Sequence, residues 1–258
     1  MKKDRNISCV LKPKTAQQLD IMRSTGKLLA EVFEELKSYV KPGLTTAQID
    51  LFAEKELYKR GLVSQAKGYR GYRHASCVSV NEEVVHGVPS ETRFITDSDL
   101  VKIDICAKRN GLCADMTRCF AVGPSNKRID RFVGAAYAAL DAGVEHMIAG
   151  KRVGDISEAV QKTVEGYGYQ VVRDFAGHGI GLCMHEDPEI LNFGKAGVGP
   201  ELIEGIALAI EPMITEGDYA VHILPDGWTA VTTDGLLAAH VEDTVIITKH
   251  GPEVITKL

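Results

Sequence analysis

The sequence predicts an α+β fold in which helices flank a largely antiparallel sheet and two similar halves share one core. Three observations carry this. Two helical patterns open on capping boxes, a second long-then-short pair of helical patterns follows about a hundred residues later, and each pair leads into short apolar β-like segments.

Thr15 with Gln18 forms the first capping box, and Leu19, Met22, Leu29, Leu36 and Val40 recur at amphipathic spacing until Pro42 and Gly43 end the helix. Thr45 with Gln48 opens a shorter helix that stops near Gly61. The second pair is an alanine-rich helix from near Ser125 to Ile148, a break at Ala149 and Gly150, and a shorter helix opened by Asp155 and closed around Gly166 and Gly168. Segments SCVSV, LVKIDICA and LCADMTRCFAV follow the first pair as strands, and IALAIEPMI and HVEDTVIIT follow the second. No Ser/Gly-rich linker separates the halves, so residues 1–258 are expected to form a single catalytic domain with internal pseudo-symmetry.

Composition excludes several classes of function. With 45% apolar and 25% charged residues and a net charge of -5, the chain has no general attraction for nucleic acid or an anionic membrane. The opening MKKDRNISCVLKPK has basic residues without an apolar run behind them, and no stretch approaches the ~20 apolar residues of a span. A cytoplasmic protein is expected. The six cysteines, Cys9, Cys77, Cys106, Cys113, Cys119 and Cys183, show no CxxC pair. They are expected to be free thiols in a reducing compartment.

The chemistry is concentrated in residues that the composition does not reveal. Asp104, Asp115, His178, Glu211 and Glu242 each stand in an apolar or glycine-lined stretch. A carboxylate there must be paired, protonated or bound to a cation, and no matching lysines or arginines lie beside them in sequence. Asp104 and Asp115 lie on strands joined around Lys108 to Gly111, and Asn-Gly is the strongest short hairpin signal. A turn centred on Asn110-Gly111 sets Asp104 opposite Thr117, with Asp115 diagonal to it on the same face; one centred on Arg109-Asn110 opposes the two aspartates directly. Either way two carboxylates repel unless a cation intervenes. Val101, Ile103 and Ile105 take the other strand face; a solvated polar face of Lys102, Asp104 and Cys106 is the competing expectation, weakened because Asp115 points the same way.

His178 lies in GHGIG, where glycines let the backbone approach closely; Glu211 precedes Pro212, and Glu242 follows Val241. One imidazole with four carboxylates suits Mn, Fe(II), Co or Zn rather than a thiolate zinc site or an EF-hand. Four negative charges match two divalent ions, and paired ions ~3.5 to 4 Å apart commonly serve hydrolysis.

Taken in order, Asp104-(x10)-Asp115, GHGIG, IEPM at 210–213 and HVEDT at 240–244 resemble the methionine aminopeptidases of type I. The resemblance extends from KPKTAQQLDIMRSTG through NEEVVHGVP and PDGWTAVTTDG. It implies the pita-bread fold, and removal of N-terminal methionine from nascent polypeptides, with a small second residue preferred, by a metal-activated water at a dinuclear site. It implies that Asp115 and Glu242 bridge the ions, Asp104 completes one, and His178 and Glu211 complete the other. Glu211 would also shuttle a proton, His86 would position substrate, and His185 would hydrogen-bond the scissile carbonyl. Tyr69, Tyr72, Cys77 and Trp228 match positions around the methionine pocket. A nascent-chain substrate raises ribosome contact, and the family suggests a monomer.

The chain departs from the family in two places. Met184 stands where an aromatic residue is usual, and the segment Tyr72 to Ser76 lacks a proline common after the tyrosine. Lys2 should block removal of the chain's own Met1. Rival readings are a proline-specific peptidase of the same fold, a binding module that has lost catalysis, and purely structural ions.

Overall fold

The computed structural model describes residues 12–258; Cys9, Lys2 and Met1 lie outside the described residues. Helix α1 (Ala16–Tyr39) and helix α2 (Thr46–Lys59) both open on complete capping boxes, with the Thr15 and Thr45 hydroxyls accepting from Gln18 N and Gln48 N. Two short strands, β1 (Val63–Ser64) and β2 (Cys77–Val80), precede β3 (Glu83–Val85) and the long hairpin of β4 (Leu100–Arg109) and β5 (Leu112–Ala121). Asn110 and Gly111 take positive φ of 48° and 85° at its tip, as a two-residue primed turn requires. That turn sets Asp104 opposite Thr117 and Cys106 opposite Asp115.

The second half begins with α3 (Lys127–Glu145) and α4 (Val153–Gly166). Both differ at their ends from the sequence expectation. Helix α3 is shorter at both ends, beginning where the Asn126 side chain caps it by accepting from Arg128 N. Asp155 is the third residue of α4 rather than its cap, and its carboxylate reaches back to Arg152 N at 2.7 Å. Strands β6 (Gln170–Val171), β7 (Ala176–Gly179) and β8 (Glu186–Leu191) follow.

Both segments expected as single strands are interrupted beside an acidic residue. IALAIEPMI splits at Glu211-Pro212 into β9 (Ala207–Ile210) and β10 (Met213–Thr215), since proline cannot donate to a ladder. After β11 (Val221–Ile223) and β12 (Ala230–Thr232), HVEDTVIIT is divided at Val241 between β13 (Ala238–His240) and β14 (Glu242–Thr248), and β15 (Gly251–Val254) ends the chain. In each case the two pieces join different sheets.

The principal sheet has nine strands in the order β1-β4-β5-β14-β9-β7-β8, with β2 on β4 and β15 on β14. All its pairings are antiparallel. One apolar cluster joins α1 and α2 to Val101, Ile103 and Ile105 of β4. A second joins α3 and α4 to Leu208 and Ile210 of β9 and Val245 and Ile247 of β14. Each helix pair thus covers its own half of the sheet, the pseudo-symmetry that the repeated helix plan foreshadows.

The other face of β4 is not a solvated polar face. Lys102 and Cys106 are buried and Asp104 is half-buried, because β3, β10, β12 and β13 build two smaller sheets beside it. Cys77, Cys106, Cys113, Cys119 and Cys183 are free thiols. No described helix is long and apolar enough to cross a membrane.

Candidate metal centre

Sheet order turns five scattered residues into one row. Asp104 lies on β4, Asp115 on β5, Glu242 opens β14, Glu211 follows β9 directly, and His178 lies on β7; these are five consecutive neighbours in the sheet. Register refines the placement, since Thr117 pairs with both Asp104 and Glu242, and His178 pairs with Ala209 two residues before Glu211. Ligand atoms of Asp115, His178 and Glu242 all lie within 4.8 Å of one another. His178 Nε2 is 3.9 Å from Asp115 Oδ2 and 3.5 Å from Glu211 Oε1.

Close backbone packing makes room for the imidazole. A Cβ on Gly177 would lie 2.5 Å from the Ala209 carbonyl oxygen, and one on Gly179 would lie 2.2 Å from that of Asp187. Only glycine permits β7 to approach its neighbours this closely on either side of His178. His178 Nδ1 is 3.0 Å from the Gly179 carbonyl oxygen, which holds a proton on Nδ1 and leaves Nε2 free to bind a cation.

Burial dominates the electrostatics. It pushes the carboxyls of Asp104 and Asp115 up to about 7, with Asp115 adding to the first and Glu211 to the second. Glu211 and Glu242 rise well above the usual carboxylate range for the same reason, reinforced by neighbouring acids. His178 is lowered to about 3 by burial. Thr117 Oγ1 donates to Glu242 Oε2 at 2.9 Å, while Glu242 Oε1, itself buried, has no hydrogen-bond partner. A row of four carboxyl groups with an orphaned buried oxygen and an imidazole nitrogen directed at it has the donor set of a divalent-cation site.

The remaining candidates surround the row. His185 is exposed and sets its ring edge-on to His178 at 4.5 Å between centroids, with Tyr69 at 5.6 Å on its other side. His86 takes a positive φ of 59° and stands 5.4 Å from the Phe175 ring. Cys77 is buried opposite Asp104. Tyr72 is buried edge-on to Trp228 at 5.0 Å, its hydroxyl donating to the Ser76 carbonyl. Tyr72 and Trp228 also line a cavity of about 300 Å³ with His74, Val88 and Asp226. Met184 packs against the first apolar cluster.

Several contributors went unseen in the sequence. His240, buried, places Nε2 3.4 Å from Glu211 Oε2 and has no hydrogen-bond partner there. Its spacing of two from Glu242 was the available signal. Asp50 on α2 carries none: its Oδ1 accepts from Ala75 N, Ser76 N and Ser76 Oγ at 2.8 to 2.9 Å. These bonds hold the segment that lacks the proline. Lys102, on the same strand face as Asp104, is buried and bonds the Asn81 carbonyl, and no ion pair joins it to a carboxylate of the row.

Residues 20–249 match the model of metallopeptidase family M24. The chain belongs to that family. The family member named methionine aminopeptidase from Clostridium acetobutylicum is 43% identical over 94% of this chain and 97% of its own length. Methionine aminopeptidase 1 of Bacillus subtilis is 41% identical over 95% of this chain and 98% of its own. Among solved family structures, methionine aminopeptidase from Thermotoga maritima superposes with a TM-score of 0.94 at 39% identity, over 96% of this chain and 100% of that one. A prolidase from Pyrococcus furiosus shares the fold at a TM-score of 0.76 and 24% identity, but this chain spans only 65% of it.

Proposed function

We propose that this M24 metallopeptidase removes the amino-terminal methionine from nascent polypeptides in the cytoplasm, preferring a small second residue. The observation that carries the reading is the row Asp104, Asp115, Glu242, Glu211 and His178 on consecutive sheet neighbours, flanked by the aromatic and thiol side chains of Tyr69, Tyr72, Cys77 and Trp228. Similarity to proteins named methionine aminopeptidase over nearly the full length supports it.

Asp104, Asp115, Glu242, Glu211 and His178 would hold two divalent ions, of Co, Mn, Fe(II) or Zn. When bound, such ions supply Lewis acidity to a water molecule and a carbonyl oxygen. Glu211 takes a proton from the attacking water on a carboxylate oxygen and returns it to the leaving amide nitrogen. His185, at the exposed edge of the site, donates an N–H to the carbonyl oxygen as charge develops on it. His86 orients the substrate's amino-terminal residue. The polarizable, largely apolar wall of Tyr72, Cys77 and Trp228 suits a thioether side chain. A monomer acting at the ribosome exit is the setting this reading implies.

The experiment is release of free methionine from Met-Ala-Ser by metal-free protein titrated with each ion, beside Asp104→Asn and an Ala-Pro substrate. Metal-dependent release of methionine that the substitution abolishes supports the proposal. Cleavage of Ala-Pro alone would establish the proline-specific reading, and no cleavage of either by folded protein would leave a binding module.

A further inference from the structure

Lys102 is 1% exposed and is among the largest fully buried side chains of the described residues. A buried ammonium is costly unless it is bonded. Its Nζ donates to the Asn81 carbonyl at 2.8 Å, so the charge is anchored on the main chain. Burial lowers its pKa to about 8. Register sets Lys102 opposite Ser79 on β2 and Cys119 on β5, one cross-strand row from Asp104 and Thr117.

The hydrogen-bond and cross-strand neighbours of this ammonium lead to the site, while Glu82 and Glu83 add negative charge near it and Arg93 adds positive charge. Asn81 O also accepts from Ala238 N at 3.0 Å, at the head of the strand that ends in His240. From Asn81 the chain passes through β3 into His86. Ser79 Oγ accepts from Gly87 N at 3.0 Å, immediately after His86. Cys119 Sγ donates to the His240 carbonyl at 3.3 Å. Asn81 is itself clamped at a positive φ of 55°, its Oδ1 accepting from Leu100 N at 2.9 Å and its Nδ2 donating to Asp99 Oδ1 at 2.7 Å. The turn before His86, the strand before Asp104 and the strand before His240 therefore meet at one carbonyl.

We propose that Lys102 is a positioning residue for the aminopeptidase reaction: by bonding the Asn81 carbonyl, its buried ammonium holds the turn that presents His86 against the strands that present Asp104 and His240. A point charge with three donors can tie a carbonyl that already receives one main-chain bond. An apolar side chain of similar volume preserves the packing and removes the tie. The substrate named here rests on the function proposed above, but the tie itself does not.

The test compares Lys102→Met and Lys102→Ala with wild type, all metal-loaded, on Met-Ala-Ser. The Met variant is expected to keep the wild-type circular dichroism while kcat falls roughly 10- to 100-fold, with KM changing less than about threefold. Ammonium or methylammonium chloride should restore much of the lost activity to the Ala variant, whereas tetramethylammonium chloride at equal ionic strength should not. A folded Met variant whose kcat stays within about twofold of wild type overturns the proposal. If that variant does not fold, the Ala variant decides, and no gain in ammonium over tetramethylammonium overturns it. Should wild type itself release no methionine, the proposed function fails; Lys102 is then judged by the visible absorption of Co(II)-loaded protein, and a spectrum unchanged by Lys102→Met overturns the positioning role.

Discussion

Stripping divalent ions from this protein and raising the pH should destabilise it, against the usual trend for a protein rich in acids. Burial raises Asp104 and Asp115 to about 7 and Glu211 and Glu242 well above their ordinary values. The folded metal-free chain therefore keeps protons that the unfolded chain has already lost near pH 4. Stability from such groups is present at low pH and declines as pH rises toward and through the folded pKa. His86, His178 and His240 act oppositely, because burial lowers them to about 4, 3 and 4. Their contribution grows with pH and is complete above the unfolded histidine value of about 6.5. The carboxyls thus dominate the window from about pH 6.5 to 8, with Lys102, lowered by burial to about 8, opposing them only toward its upper end.

One retained proton costs about 1.4 kcal/mol per pH unit, or about 2 kcal/mol across that window. Mutual repulsion makes the four groups share protons, so their separate shifts do not add. At 2 to 4 °C per kcal/mol the melting temperature of the metal-free protein should fall by roughly 4 to 8 °C. Calorimetric melts in EDTA at both pH values test this, and Mn(II) or Co(II) should abolish the decline by binding the deprotonated row. A metal-free melting temperature that is flat or rising over this window would refute the electrostatic account of the site.

Three further outcomes follow from particular contacts. Lys14 and Glu186 form an ion pair at 2.7 Å with both side chains 6% exposed, and Glu186 Oε1 also accepts from Leu182 N. Lys14→Met should cost about 3 to 5 kcal/mol in urea titration, with Lys14→Met/Glu186→Gln recovering part of it; a single variant as stable as wild type would contradict the pairing. Asp50→Asn weakens the four contacts that hold His74, Ala75 and Ser76, and should raise KM for Met-Ala-Ser roughly tenfold while metal affinity stays constant by titration calorimetry. Thr117→Val removes the hydroxyl that orients Glu242, and should weaken metal binding about 10- to 100-fold; unchanged affinity would make that hydrogen bond dispensable.

Much of this molecule was legible because its determinants are local. The capping boxes at Thr15 and Thr45 act over three residues, and both appear as read. Asn110-Gly111 marks the hairpin and leaves two registers, both with Asp104 and Asp115 on one face; the positive φ at both residues selects the one with Asp104 opposite Thr117. The acids were conspicuous because their neighbours are apolar. Helix ends were less legible: Asn126 caps α3 by accepting from Arg128 N, while the adjacent Ser125 hydroxyl bonds Asp130 instead. The breaks at Glu211-Pro212 and Val241 were hidden because each piece joins a different sheet.

The sequence by itself determined the candidate ligand set, four carboxylates and an imidazole in apolar surroundings, together with the starts of α1 and α2 and the hairpin that sets the first two aspartates on one face. Only the tertiary structure decided the order of the row. Along the chain it runs Asp104, Asp115, His178, Glu211, Glu242; across the sheet Glu242 enters between Asp115 and Glu211, and His178 comes last. Strand order is set by which apolar faces the two helix pairs cover, a balance of burial over the whole chain with no local signature. The same balance buried Lys102, made Asp50 the anchor of the pocket segment and brought His240 to Glu211.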